Sequence, residues 1–179
     1  VSLSGGYELN QKLQARATFN YLQSNSANRP NLNEGTENVA FIINGNLPPS
    51  VNITSLRNYW QAGRRNFNQF NFNYNYLDNP YFTLFENTNS QQYDRLFGNA
   101  FLNWQYRPWL NLQFRVGTDA TNEFRARRRT YSTQGFPLGG YREEEIRLDE
   151  TNLDALASTS KEFSPNFKIY AGLGGNVMR

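Results

Sequence analysis

The sequence predicts an all-β fold: an antiparallel transmembrane β-barrel segment of about six strands with long extracellular loops, part of a larger barrel. Three observations carry this expectation. Apolar and polar residues alternate on both sides of short breaks, aromatic rings crowd one such break, and short breaks take turns with long polar stretches.

The clearest alternation runs from Arg95 to Asp119. Its first arm sets Leu96, Gly98, Ala100, Leu102, Trp104 and Tyr106 on one face and Asn99, Asn103 and Gln105 on the other, interrupted by Phe97 and Phe101. The second arm is cleaner. Leu110, Leu112, Phe114 and Val116 share a face that reads as lipid-facing, and Asn111, Gln113, Arg115 and Asp119 share a face that reads as lumen-facing. An oily row directly behind a polar row describes a strand between lipid and water. Trp104, Tyr106 and Trp109 cluster at the turn, where rings with one polar edge suit a membrane interface.

Composition permits a barrel and excludes several alternatives. Hydrophobic residues make up 38% of the 179, and no run approaches the ~18 apolar residues of a spanning helix. A barrel strand needs apolar side chains only at alternate positions, so low average hydrophobicity is compatible with it. The 14 Phe, 11 Tyr and 3 Trp fit aromatic girdles. A net charge of +3 is too small an excess to argue for nucleic acid. Cysteine and histidine are both absent, which removes thiol and Ser-His catalysis, disulfides and the common zinc and histidine-haem sites. We therefore expect no enzyme, no metal and no cofactor.

In chain order, strands are expected near 1–9, 13–24, 91–105, 109–131, 141–161 and 167–178. Short turns fall at 10–12, 105–108 and 162–166, and long loops at 25–90 and 132–142. Outer-membrane barrels have short periplasmic turns and longer extracellular loops, so the Trp104, Tyr106 and Trp109 girdle is placed on the periplasmic side. Inside loop 25–90, Asn38 to Ile43 reads as a brief strand and Ile53 to Gly63 as a short helix near a Thr54-Ser55 cap.

Within that loop, Phe70, Phe72, Tyr74 and Tyr76 alternate with Asn71, Asn73 and Asn75. One reading is an exposed aromatic ladder that, with Trp60, contacts substrate or a lid protein. The plainer reading is a loop strand whose rings pack on neighbouring loops or a partner, since strands commonly bury one face. Glu143, Glu144, Glu145, Asp149, Glu150 and Asp154 lack the spacing of a glycosidase pair or a calcium loop, so they read as a solvated strand extension. Arg125, Arg127, Arg128 and Arg129 are their expected ion-pair partners, with anionic lipopolysaccharide as the other reading.

The ordered motifs resemble a known family. Asn79-Pro80-Tyr81-Phe82, Glu86-Asn87, Arg95 to Ala100, Trp109-Leu110 and Arg115 to Asp119 follow one another as in the barrel of SusC/RagA-type TonB-dependent outer-membrane transporters. Upstream Leu47 to Ile53 and Tyr59-Trp60, and downstream Leu173 to Asn176, are also similar to it. The resemblance implies import of a bulky nutrient, an oligosaccharide or peptide, with a SusD-like surface lipoprotein as a lid and energy from TonB. Single-chain barrels start at about 8 strands and large plugged transporters have about 22, so about six strands are expected to be an interior segment of a longer barrel. TonB would then act through parts of the protein outside this chain. The alternative from a different class is a soluble β-sandwich that binds carbohydrate through the Phe70 to Tyr76 rings.

Overall fold

The computed structural model describes residues 1–71 and 76–179. Six strands, β1 (Ser2–Asn10), β2 (Leu13–Ser26), β3 (Asn89–Arg107), β4 (Leu110–Arg129), β5 (Gly140–Ser164) and β6 (Phe167–Met178), form one antiparallel sheet whose order follows the sequence. The predicted all-β class stands. A sandwich would need a second sheet, and the described residues form one of six strands. β4 has 20 residues and β5 has 25, about twice the 9–11 that a strand needs to cross a bilayer.

The chain divides into two compact units. The first comprises Val1–Gln23, Tyr93–Asn122 and Ile146–Arg179; the second comprises Ser24–Gln92 and Glu123–Glu145.

The first unit is strand and tight turn. Asn10 closes the β1–β2 turn locally, its Oδ1 accepting the Lys12 amide at 2.8 Å, which is how an Asx residue turns a chain. Registry then sorts the faces. Leu3, Gly5 and Tyr7 stand opposite Phe19, Ala17 and Ala15, while Ser4 stands opposite Thr18. At the other side of the sheet Leu153, Ala155 and Ala157 oppose Val177, Gly175 and Leu173, and Asp154 opposes Asn176. One face is thus apolar across both hairpins and the other polar. Buried apolar residues among those described are Ile42, Leu56, Leu77 and Phe82, all in the second unit. The first unit's apolar face has no such core beneath it, as expected of a wall rather than a globule.

Gly98 on β3 marks a close approach between strands. A Cβ there would collide with the Thr18 carbonyl oxygen and the Phe19 ring. Only glycine fits where a neighbouring backbone comes that near.

The second unit holds the helical pieces. α1 (Val39–Phe41) runs into a π-type turn at Ile42–Asn46, a 3-10 turn spans Ile53–Arg57, and α2 spans Pro80–Glu86. The strand expected at Asn38 to Ile43 is therefore helical. Asn38 supplies the reason, because its Oδ1 accepts the Phe41 amide at 3.1 Å and so caps a helical turn that the apolar run alone does not announce. The helix expected at Ile53 to Gly63 stops at Arg57 and is capped by Asn52, whose Oδ1 accepts the Thr54 amide at 3.0 Å. Beyond it Trp60 leaves the helical path to bridge Gln69.

Candidate functional site

In the first unit the predicted lumen row is a ladder of paired polar groups. Asn111 donates to Asn103 Oδ1 at 2.8 Å. Arg115 Nε meets Asp154 Oδ2 at 2.6 Å, and the other oxygen of Asp154 accepts Asn176 Nδ2 at 2.6 Å. Asp119 is held by both arms of Arg95, whose guanidinium also lies 4.8 Å from the Phe97 ring centroid. Gln113 is half-buried. Around Asn20, Asn99, Arg115, Asp119 and Asn152 this face is hollowed into a recess of about 530 Å³. Its charged lining is Arg115 with Asp119, Glu150 and Asp154; Arg115 pairs with Asp154 and Arg95 with Asp119, which leaves the recess an acidic excess at Glu150. On the opposite parity Phe114 and Val116 are exposed and Leu110 and Leu112 half-buried. That face is also hollowed, and the lining is mostly apolar, including Leu3, Phe19, Leu102, Phe114 and Val177. A twisted sheet is concave along one diagonal on each side.

The short-turn end carries more rings than the sequence reading gathered. Trp104 and Tyr106 meet edge to face at 5.1 Å, and Arg107 sits 5.2 Å over Tyr106. Phe163 and Phe167 flank the β5–β6 turn at 6.0 Å, with Lys161 over Phe163 and Lys168 over Tyr170. The Trp109 carbonyl ties this end together by accepting Thr159 Oγ1 at 2.8 Å and the Ser160 amide at 3.2 Å. The missed signal was the presence of Phe and Tyr beside Lys on both sides of Pro165.

In the second unit the organising residues are amides. Asn79 is fully buried. Its Oδ1 accepts the Tyr81 amide at 2.9 Å and caps α2, Pro80 occupies the first helical position, and its Nδ2 donates to the Leu56 and Phe70 carbonyls at 3.0 Å each. Gln69 accepts the Asn79 amide at 2.9 Å and donates to Asp78 Oδ1 and the Ser132 carbonyl at 2.6 Å. Asp78 Oδ1 also accepts the Gln134 amide at 2.8 Å, while its Oδ2 is buried without a partner among the described residues. Burial pushes this carboxyl above the ordinary carboxylate range; its hydrogen bonds from Gln134 and Gln69 act the other way without cancelling the rise. Tyr59 donates to Glu86 Oε1 at 3.0 Å, and burial with that bond raises its hydroxyl.

The predicted loop rings fare differently from one another. Trp60 is half-buried and packs edge to face on the buried Phe82 at 5.4 Å. Phe70 is 44% exposed and Tyr76 is 73% exposed, while Phe72 and Tyr74 lie outside the described residues. At Gln69 to Asn71 the amide side chains are the buried set and the ring points out. That departs from the plainer reading, in which the rings pack, because Gln69 finds buried partners that an aromatic ring cannot use. The arginines are also placed differently than expected. Arg125 pairs with Glu123, two residues back on its own strand, and Arg129 pairs with Glu37. Side chains at i and i+2 of a strand share a face, so the nearest carboxylate wins.

No protein-family model matches this chain, and no curated protein matches it. Among solved structures it is similar to chains of the RagAB peptide transporter and of the RagAB peptide importer in the 'open-open' state. Each comparison has a TM-score of 0.64 at 18% identity and covers 99% of this chain. The chain spans 20% of the length of each of those chains. The shared feature is the fold, a segment of a β-barrel transporter.

Proposed function

We propose that residues 1–179 are a partial barrel wall of a TonB-dependent outer-membrane transporter of the SusC/RagA type. The observation that supports it best is a single six-stranded sheet, apolar on one face and polar on the other, that overlies a barrel-transporter chain along nearly all its length. Leu110, Leu112, Phe114 and Val116 face lipid, and Asn111, Gln113, Arg115 and Asp119 face the lumen. The ring-and-lysine end lies at the periplasmic interface, where amphipathic rings and basic groups meet headgroups. The second unit belongs to the extracellular loops and carries the contacts to substrate and to a SusD-like lipoprotein lid, with Trp60, Phe70, Phe72, Tyr74 and Tyr76 as contact residues. The cargo is a bulky oligosaccharide or peptide, and TonB supplies energy through other parts of the protein.

The test is fractionation of the native protein. It should enter the outer-membrane fraction, require detergent for extraction and migrate faster on a gel unheated than boiled. A native protein that stays in solution without detergent overturns the reading.

A further inference from the structure

We propose that Lys161 and Arg107 form a binding surface for the phosphate of a net-anionic phospholipid headgroup at the short-turn end of the wall. The surface deepens the transporter reading and rests on it. Side chains two apart on a strand share a face. Lys161 therefore continues the series Leu153, Ala155 and Ala157, and the register holds unbroken from Leu153 opposite Val177 to Lys161 opposite Ile169. Tyr106 continues the series Ala100, Leu102 and Trp104 on β3. Ala100, Leu102, Leu153 and Ala155 line one and the same apolar hollow. Lys161 and the Tyr106 ring thus belong to the apolar face, and the Arg107 guanidinium lies 5.2 Å from the centroid of that ring.

A cation on an apolar face needs a counter-charge, and the chain supplies none on that side of this end. Neither Lys161 nor Arg107 takes part in an ion pair among the described residues. The acids beside the short turns fall on the other face. Glu162 stands opposite Lys168, and Glu8, opposite Gln14, accepts that residue's side-chain amide at 3.4 Å. Each of the two cations is instead held by an exposed ring, Lys161 Nζ lying 5.1 Å from the Phe163 centroid as Arg107 lies over Tyr106. A ring face attracts a cation and leaves its N–H groups to donate elsewhere. Depth follows from cost, since a basic side chain on a lipid face is tolerated best near the interface, the level of the headgroup phosphates. Phosphate oxygens accept from ammonium and guanidinium alike, and a net-anionic headgroup carries no amine of its own to compete for them. In the transporter reading the short turns are periplasmic, so the source is phospholipid of that leaflet.

The experiment uses the full-length protein purified from the outer membrane, delipidated in detergent and offered dioleoyl phosphatidylglycerol, dioleoyl phosphatidylethanolamine or lipid A, with the retained lipid counted by native mass spectrometry. Phosphatidylglycerol should be retained about twentyfold more strongly than phosphatidylethanolamine, and Lys161→Gln and Arg107→Gln should each lower that preference about fivefold. The double variant should abolish it. Lys161→Arg, which keeps the charge, and Lys168→Gln, on the other face, should leave it unchanged. Equal retention of the two phospholipids overturns the surface, as does a preference that survives the double variant or is lost equally in Lys168→Gln. Retention of lipid A above phosphatidylglycerol, lost in the double variant, overturns the phospholipid assignment. Gel migration of the same samples separates the two levels. A heat-modifiable outer-membrane protein without headgroup preference counts against the surface only, whereas absence from the outer membrane counts against the transporter reading.

Discussion

Asp78 keeps one carboxylate oxygen buried and, among the described residues, unpartnered, while its other oxygen serves Gln69 and the Gln134 amide. Its folded pKa is raised, so the folded loop unit holds a proton that the unfolded chain has already lost. Stability conferred in that way is present at mildly acidic pH and is lost as pH rises through the folded value. Arg129 moderates the rise and Glu37 adds to it. Protection of the Gln69 to Asn71 and Leu77 to Asn79 amides, with exchange corrected for its intrinsic pH dependence, should therefore rise on mild acidification, and Asp78→Asn should flatten the dependence. An identical pH response in the two proteins would contradict the burial argument. Asn79 is a second residue whose role is local and large. Asn79→Ala removes a cap worth about 0.5–2 kcal/mol and strands the Leu56 and Phe70 carbonyls, so limited proteolysis should cut the loop unit sooner while gel migration of the barrel stays normal. The Asn79-Pro80 pair was visible in the sequence as a motif. Its partners Leu56 and Phe70 were not, because they come from 23 and 9 residues earlier and no local pattern points to them.

At the level of the strand, period-two alternation was enough to find the wall and to separate its two faces. It worked because successive side chains fall on opposite faces of a strand, so every residue is marked by the side on which it falls. Leu112→Arg or Phe114→Arg should impair membrane assembly by about 2–4 kcal/mol, while Gln113→Arg is tolerated. Equal loss of heat-modifiable protein at 112 and 113 would refute the assignment of faces. Gly98 offers a test that hydropathy does not. Gly98→Ala should destabilise the β2–β3 seam despite being a small apolar change, since the added carbon meets the Thr18 carbonyl; unchanged thermal gel shift would show that the strands can separate at no cost. The same rule misled at Asn38 to Ile43 and left the packing at Gln69 to Asn71 open. There asparagine and glutamine side chains make the decisive hydrogen bonds, and a hydrophobicity pattern does not register them.

On the scale of the whole chain, length, composition and the order of turns and loops were sufficient for the class of molecule, and the comparison with the RagAB chains agrees on that fold. The contents of the loops were not legible. Loop 25–90 looked structureless because its order comes from capped single turns and a small core of Ile42, Leu56, Leu77 and Phe82, spread too thinly in sequence for any window to detect. If the transporter reading holds, replacing Trp104 and Trp109 together by Ala should lower the yield of assembled barrel more than either change alone, because both rings would anchor one interface.

The sheet has every strand beside its neighbour in sequence. Such a chain can be built one hairpin at a time, each new strand finding its edge already in place. The cost of joining is not uniform along it. The turns at Lys12, Pro108 and Asn166 bring strand ends together almost at once, whereas β2 and β3 must meet across the longest loop, where closure entropy grows with length. The seam between β2 and β3 is therefore the slow step expected in assembly, and a loop that caps its own short helices shortens the search before the two strands meet.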